Sequence, residues 1–594
     1  ASSASSSSDK LVTFDFRTSA TEGTAHLKVT AKSGNYTAEE NLSIEVRNAN
    51  PAVLSVRRAV LQPGQESAFD CPGGSADGEY NILEVSSFPS IDINGAWLYM
   101  KYYPHSCTEQ LCSKGITLLS LLPQFDGERR DEANGIVSDI LTELYSRQLS
   151  DGSFVMWPGS TLINLWADAM AGHFLALASN AGFSVNGGVF GAWRNRVKKY
   201  VNVYKSDGSE YDELAAYDLY VLSLSGNAQD GPMNRLRESS VLHGSARNLL
   251  ASAYSLSGRK AVAQKLLSGH SLSPNATQSK KSSGKAASAS LQPSQNESMF
   301  FGSRLRDDAI ALETNLLAGN LGAAMELASL VADGFAKESY TTQTTAFAAS
   351  ALARMTGLTD REAMAFRYEC AFGNDGANAE TVKSAGSMWT RNVVQGATTV
   401  MLRNTSKGVL YASLASRAVV PAGTPVKAAA SGVSLSVVYR DMDGDVINPE
   451  SVSQGTDFTA DVTVRNGSAA ADLRNLALSV PVPSGWEIYN SRLFEGETDI
   501  SARYTACDIR DSEVRWYFDL PRSSVKTFSV RLSAAYPGEF ILPSVSCEAM
   551  YDNSVFARTA SGTARVTMLS GTDSTPSVDS SDLGQADNIP VAAY

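Results

Sequence analysis

Along the 594 residues of the chain the spacing of apolar positions changes twice. From about Lys10 to Asn48 apolar and polar residues alternate, as in Leu11-Val-Thr-Phe-Asp-Phe16, Ala25-His-Leu-Lys-Val-Thr30 and Leu42-Ser-Ile-Glu-Val46, which predicts half-buried strands. Strands continue from Ala49 to about Ser86, with Pro63-Gly64 and Pro72-Gly-Gly74 as turn signals. From about Ser87 to Gly357 the period becomes that of helices. Leu162, Leu165, Trp166, Ala169, Met170, His173 and Leu177 form one apolar stripe, and similar stripes run through Ile136 to Leu149, Leu214 to Leu224, Ala246 to Leu256, Asp307 to Leu317 and Thr342 to Ala353. The insert from Ser271 to Glu297 lacks aromatic residues and cannot bury enough apolar surface to order itself, so it is expected as a mobile loop with Lys280, Lys281 and Lys285 solvated.

After about Glu362 the strand pattern returns, in Phe366-Arg-Tyr-Glu-Cys370 and Thr398-Thr-Val-Met-Leu402. Leu435-Ser-Val-Val-Tyr439, Phe458-Thr-Ala-Asp-Val-Thr-Val464 and Leu476-Ala-Leu-Ser-Val480 predict a final sandwich, and residues from about Ser570 read as a polar tail. A chain this long exceeds one hydrophobic core and predicts several domains. With 43% hydrophobic and 19% charged residues it is globular. A net charge of -12, with no run of Lys or Arg, argues against nucleic acid as a partner. No stretch approaches the roughly 20 apolar residues of a spanning helix. Neither an initiator methionine nor a signal peptide is visible, so a processed precursor or a piece of one is expected.

The chemistry concentrates at Cys107-Thr108-Glu109-Gln110. Residues three apart share a face in the first turn of a helix. The Cys107 thiolate can therefore attack the Gln110 side-chain amide, expel ammonia and leave an internal thioester, an acyl donor awaiting a nucleophile. The blander reading is a helix start with one buried thiol. Glu109 is open to two readings, a helix-end carboxylate favoured by the macrodipole or a group orienting Gln110.

The surroundings favour the thioester over the buried thiol. Lys101-Tyr-Tyr-Pro-His-Ser-Cys107 resembles the Tyr-Pro-Tyr-Gly-Cys-x-Glu-Gln signature of bacterial alpha-2-macroglobulins, matching at Tyr103 and Pro104 and departing at His105 and Ser106. Gln148-Leu-Ser-Asp-Gly-Ser-Phe-Val-Met-Trp157-Pro158-Gly159 is similar to that family's Gln-x-x-Asp-Gly-x-Phe-x-x-Trp-Pro-Gly stretch. Val482-Pro-Ser-Gly-Trp-Glu487 resembles the Pro-x-Gly-Trp-Glu of its last domain. The resemblance implies a C-terminal portion of such a protein: the end of a macroglobulin-like β-domain (1–48), a CUB-like β-domain in two parts (49–86 and 358–430), a helical α/α toroid thioester domain inserted between them (87–357), a C-terminal macroglobulin-like β-sandwich (431–570) and a tail (571–594).

The resemblance also implies a function. A protease cuts a bait segment, the domains rearrange, and a lysine of that endopeptidase attacks the Gln110 acyl carbon, giving a single-turnover inhibitor rather than an enzyme, with no cofactor beyond the Cys107–Gln110 bond and no metal. Until then Tyr103 and Met550, in the lock-like Cys547-Glu-Ala-Met550-Tyr551-Asp, cover the bond, with Tyr551 beside them. Trp157, Pro158 and Gly159 shape the toroid near the site. Further implications are a periplasmic or envelope location, a lipoprotein anchor upstream, upstream domains of the same chain as partners, and a neighbouring cell-wall synthase.

Relatives in complement use a distant histidine to form an acyl-imidazole. The five histidines are His26, His105, His173, His243 and His270, and none falls between about Tyr200 and Tyr211, where that residue would align. Direct aminolysis of the thioester follows as an expectation. His173, in an apolar stripe where the family often has aspartate, reads as a core residue; His105 is close enough to assist proton transfer or simply to pack in place of an aromatic. Six cysteines suggest disulfides by parity, but a thioester would consume Cys107; Cys71 with Cys370 and Cys507 with Cys547 are the expected pairs.

Three other readings compete. A carbohydrate-active α/α-toroid enzyme would need paired carboxylates from Asp307-Asp308 or Asp168, and adjacent aspartates on a helix point apart. A hydrolase built on Cys107 and His105 lacks an orienting third residue. A scaffold without a working thioester, as in family members lacking the cysteine, would not need both Cys107 and Gln110.

Overall fold

The computed structural model describes residues 23–568 apart from internal segments, of which 269–299 and 490–502 are the longest. The strand expected at Leu11–Phe16, the loop expected at Ser271–Glu297 and the tail beyond residue 570 lie outside the described residues.

Twelve helices are described: α1 (Ile93–Tyr102), α2 (Thr108–Leu121), α3 (Gly127–Tyr145), α4 (Leu165–Asn180), α5 (Gly187–Val203), α6 (Tyr211–Leu224), α7 (Asp230–Arg237), α8 (Ala246–Leu256), α9 (Lys260–Leu267), α10 (Arg304–Ala318), α11 (Leu321–Lys337) and α12 (Thr342–Leu358). Local chemistry sets several ends. Asn164 accepts a hydrogen bond from Ala167 N–H and starts α4, Asn186 accepts from Gly188 and Val189 and starts α5, and Ser303 accepts from Arg306 and starts α10. Gly319, at φ +83°, ends α10. The Asn164 cap cuts the predicted stripe short: Leu162 precedes the helix and is half exposed.

Helices α2, α4, α6, α8, α10 and α12 each pack against the next, and α12 returns to α2, closing a ring. The odd-numbered helices from α3 to α11 pack outside it. Inner helices are buried on nearly every side: Trp166, Ala169, Met170 and Phe174 of α4 and Tyr217, Val221 and Leu222 of α6 are almost inaccessible. Such all-round burial is what a helix enclosed by others requires. Gly172 shows how close the layers come, because a Cβ there would meet the ring of Trp193 at 2.1 Å. Trp193 is fully buried and its indole N–H is held by Asp168, at 3.0 Å from the backbone oxygen. The ring therefore has nowhere to slide. Gly172→Ala is expected to lower the stability of the helical domain by about 3 kcal/mol, read as a drop in the urea midpoint; a change under about 0.5 kcal/mol would show that α4 and α5 have more slack than this.

The strands on either side of the helices pair with one another. Ala52–Leu61, Leu410–Val419, Tyr80–Ser86 and Met388–Asn392 form one sheet, and Glu66–Asp70, Thr399–Asn404, Arg367–Phe372 and Glu380–Lys383 a second. Leu83, Val85, Tyr368, Leu402 and Leu414 fill the core between them. The helical ring is thus inserted in a CUB-like β-domain, the fold class expected. The described strands between Ala429 and Thr567 form the last sandwich, with Phe458, Trp486, Trp516, Phe518 and Phe528 in its core. Gly23–Ser33 and Tyr36–Val46 pair as a hairpin about Gly34, at φ +58°.

The expected disulfides are absent, and sheet geometry gives the reason. Cys71 and Cys547 carry free thiols. Cys507 and Cys547 lie on strands separated by Leu473–Pro481 and Glu513–Leu520, about 14 Å across at one strand spacing per step, beyond the reach of a disulfide. Cys71 follows a strand two positions from that of Cys370, and the register places Cys370 level with Ser67.

Candidate functional site

Cys107 is the N-cap of α2 (φ −64°, ψ 166°) and Gln110 its third residue. The two side chains cross in a capping box. The Gln110 backbone N–H points at the Cys107 sulfur, while Gln110 Oε1 accepts from the Cys107 N–H at 3.1 Å. Sulfur and amide are thereby held together in one turn, and both residues are all but inaccessible.

The turn is fixed from below. Thr108 N–H donates to Met156 O at 2.9 Å and its hydroxyl to Val155 O at 2.6 Å. The buried guanidinium of Arg147 reaches Ser106 O at 2.7 Å and Thr108 Oγ1 at 3.1 Å and pairs with Glu143. These contacts occupy backbone carbonyls that the turn into α2 would otherwise leave buried and unpaired.

From above, the site is covered by two domains. Tyr103 accepts from Gln110 Nε2 at 3.3 Å and donates to Met550 O at 3.5 Å. Met550 Sδ accepts from Gln110 Nε2 at 3.1 Å. Its own N–H is held by Asn475 O. Tyr551 places its hydroxyl 3.7 Å from Cys107 Sγ and 2.5 Å from Glu109 Oε2, and stacks its ring on Phe301 at 4.6 Å. Met550 and Tyr551 follow the strand Ser546–Ala549 of the last sandwich, yet Met550 packs in the core of the helical ring.

Glu109 is fully buried and, among the described residues, has three hydroxyl donors and no cation bonded to it: Ser113 at 2.5 Å, Thr342 at 3.1 Å and Tyr551. Burial pushes its carboxyl up to about 6 against the pull of those hydroxyls. Burial, reinforced by the Glu109 carboxylate, pushes the Cys107 thiol up to about 12, so the cysteine is protonated in the closed site.

Both ring nitrogens of His105 are engaged by the last sandwich rather than by Cys107 or Gln110: Nδ1 lies 3.3 Å from Tyr517 OH and Nε2 3.2 Å from Glu548 Oε1. Trp157 stacks on Tyr517 at 4.0 Å, so it joins the two domains as well as shaping the ring. Pro158 and Gly159 are exposed, in a turn where Gly159 has φ +71°. His173 meets Tyr217 OH at 2.9 Å, and burial lowers it to about 3, leaving it neutral. His26 bonds Ser43 on the hairpin; His243 and His270 lie outside the described residues. Asp168, a candidate for carbohydrate chemistry, is held by Phe154 N–H, Trp193 and Arg196, and Asp307 by Arg306. No group of three or more His, Cys, Asp or Glu among the described residues is placed to hold a metal, and no described helix is long and apolar enough to cross a membrane.

The sequence reading missed Arg147, Phe301, Thr342, Tyr517 and Glu548. Arg147 adjoins the Gln148 motif and could have been suspected there. The others approach from 190 or more positions away, a proximity that only the closed ring and the docked sandwich create.

Residues 432–553 match the model of the bacterial alpha-2-macroglobulin MG10 domain. A stretch of 250 residues is 28% identical to the alpha-2-macroglobulin of Xylella fastidiosa, covering 38% of this chain and 15% of that protein. The sequence thus resembles part of the bacterial alpha-2-macroglobulins, and the chain spans less than a fifth of the length of this curated relative. The native Escherichia coli alpha-2-macroglobulin from domain MG7 to the C-terminus shares its fold, with a TM-score of 0.72 over 92% of this chain and 88% of that one at 17% identity. Salmonella alpha-2-macroglobulin reacted with methylamine gives a TM-score of 0.74 over 92% of this chain and 36% of that one, at 19% identity. The match is thus to the C-terminal portion of a macroglobulin. The covered turn at Cys107 sits between its helical ring and its MG10-type sandwich.

Proposed function

We propose that this chain is the thioester-bearing part of a protease trap, in which Cys107 and Gln110 form an internal thioester that acylates a lysine amine of the attacking endopeptidase. One observation carries the reading: the sulfur and the amide lie crossed in the first turn of a buried helix, beneath Tyr103, Met550 and Tyr551. A thioester in water is lost to hydrolysis, and this roof excludes water without any covalent link between the domains. Movement of the sandwich away from the ring exposes the Gln110 acyl carbon and breaks only packing and hydrogen bonds, which is a two-state switch. A protease held at the opened site presents its lysine at high effective concentration. The amine displaces the Cys107 thiolate and leaves an amide crosslink. No histidine among the described residues bonds Cys107 or Gln110, which favours direct attack by amines over transfer through an acyl-imidazole to hydroxyls. The same reading places the protein in the bacterial envelope.

The test is the intact mass of unheated native protein. It is expected to fall one ammonia short of the sequence mass; methylamine should then add itself and free one thiol, and Cys107→Ala should abolish both effects. A native mass equal to that of the sequence and unmoved by methylamine would refute the proposal. With the opened protein, labelled amine should be incorporated well above labelled glycerol, and equal incorporation would refute direct aminolysis.

A further inference from the structure

We propose that Tyr551 is a catalytic residue for making the thioester: the docked sandwich supplies the hydroxyl through which the Cys107 thiol passes its proton to Glu109. The inference rests on the thioester reading above and adds a requirement to it, that the bond forms only after the last sandwich has docked.

An amide is a poor electrophile and a buried thiol a poor nucleophile. For Cys107 to attack Gln110, a base must remove the sulfur proton, a donor must stabilise the oxyanion, and the nitrogen must leave protonated. The first two requirements meet groups already in place. The Tyr551 hydroxyl spans the gap between Cys107 Sγ and Glu109 Oε2, at 3.7 Å and 2.5 Å. Glu109 is enclosed by hydroxyls rather than cations, so it stays basic enough to accept a proton near neutral pH. The Cys107 backbone N–H lies 3.1 Å from Gln110 Oε1, where negative charge develops during attack.

The step balances. The thiol proton moves to the Tyr551 oxygen as the Tyr551 proton moves to the Glu109 carboxylate, and the sulfur attacks Gln110 Cδ, forming the C–S bond. As the tetrahedral intermediate collapses, the proton returns from Glu109 through Tyr551, the C–N bond breaks, and the nitrogen leaves as ammonia. One proton has moved from sulfur to nitrogen, and both Glu109 and Tyr551 are restored. No oxidant or other reactant is needed. Tyr551 touches the reacting sulfur; Glu109 acts through it.

A role in covering the site gives a different outcome from a role in making the bond. Tyr551→Phe retains the ring that stacks on Phe301 and removes only the hydroxyl. After methylamine treatment and proteolysis, the peptide containing position 110 reports one of three states: the original amide where the bond never formed, the methylamide where it formed and survived, or a glutamate where it formed and met water. Tyr551→Phe and Glu109→Gln are expected to leave the original amide, with methylamide reduced at least tenfold from the native chain. Wild-type yields of methylamide, or a glutamate at position 110, in Tyr551→Phe would overturn the relay and leave Tyr551 as a cover. Should Tyr551→Phe fail to fold, Glu109→Gln carries the same comparison, since a merely loosened site gives glutamate and not the untouched amide. If the native chain itself yields only the original amide, the thioester reading fails and the relay with it.

Discussion

Met550→Ala is expected to speed the reaction of the latent protein with methylamine by about 30- to 100-fold. Met550 is 4% exposed, joins the helical core across the domain boundary and meets Gln110 Nε2 with its sulfur. Truncating a methionine so buried removes about 2–3 kcal/mol, the lower part of the range for core methionines. Here that energy belongs to the contact between sandwich and ring, so its loss favours the undocked state rather than global unfolding. At tenfold per 1.4 kcal/mol, the open fraction rises by roughly the factor stated, and the reaction rate follows it if opening is faster than aminolysis. Rates within threefold of the native chain would show that Met550 does not hold the roof closed. The glutamate that water leaves at position 110 should accumulate in this variant, because the Tyr551 hydroxyl that makes the bond is intact while its shelter is weakened.

The roof is built mostly of neutral groups. Trp157 on Tyr517, Tyr551 on Phe301 and the edge contacts of His105 with Tyr103 and Tyr517 supply oriented aromatic packing, and the polar contacts of His105 with Glu548 and of Arg515 with Pro104 O accompany it. Packing of this kind resists small changes of ionic strength and yields to a displacement of the whole sandwich, which suits a switch thrown by domain movement.

Much of this was legible from residue order. Period changes located the helical insertion, and the three-residue spacing from Cys107 to Gln110 foretold the crossed side chains, because both depend on neighbours within a few positions. Closure of the ring was not legible, since it depends on α12 meeting α2, two helices more than 200 positions apart whose stripes look like any others. The start of α4 was misplaced because Leu162 fits the apolar period while the side-chain oxygen of Asn164 ends it. The expected cysteine pairs failed for a similar reason: parity counts thiols, whereas a disulfide needs adjacent backbones, and the strand order keeps these apart. The groups around Glu109 come from α2, α12 and the last sandwich, and no local pattern marks Thr342 or Tyr551 as neighbours of one carboxylate.

Arg306→Met is expected to cost about 3–5 kcal/mol of the helical domain's stability and to loosen the site at a distance. Arg306 is buried, with Glu213 at 2.9 Å, Asp307 at 2.7 Å and Phe300 O at 3.1 Å, and its guanidinium lies over Trp166. Methionine can occupy much of that space, so the loss arises mainly from leaving the Glu213 carboxylate buried without its cation. Burial already holds Glu213 above the ordinary carboxylate range, against the pull of Arg306; without that pull it rises further. A carboxyl raised in the folded state binds its proton more tightly there than when unfolded, so stability falls as pH climbs from the unfolded value to the folded one. In Arg306→Met that window extends to higher pH, and the urea midpoint should decline more steeply with rising pH than in the native chain. Adding Glu213→Gln should flatten the decline and restore much of the midpoint; an additive double variant would show that the two groups are not coupled. The same guanidinium anchors Phe300, beside Phe301, which holds an uncommon φ of +52° and supports the ring of Tyr551. Loss of Arg306 should therefore also raise the methylamine rate of molecules that remain folded, linking a salt bridge in the helical core to the cover over Cys107.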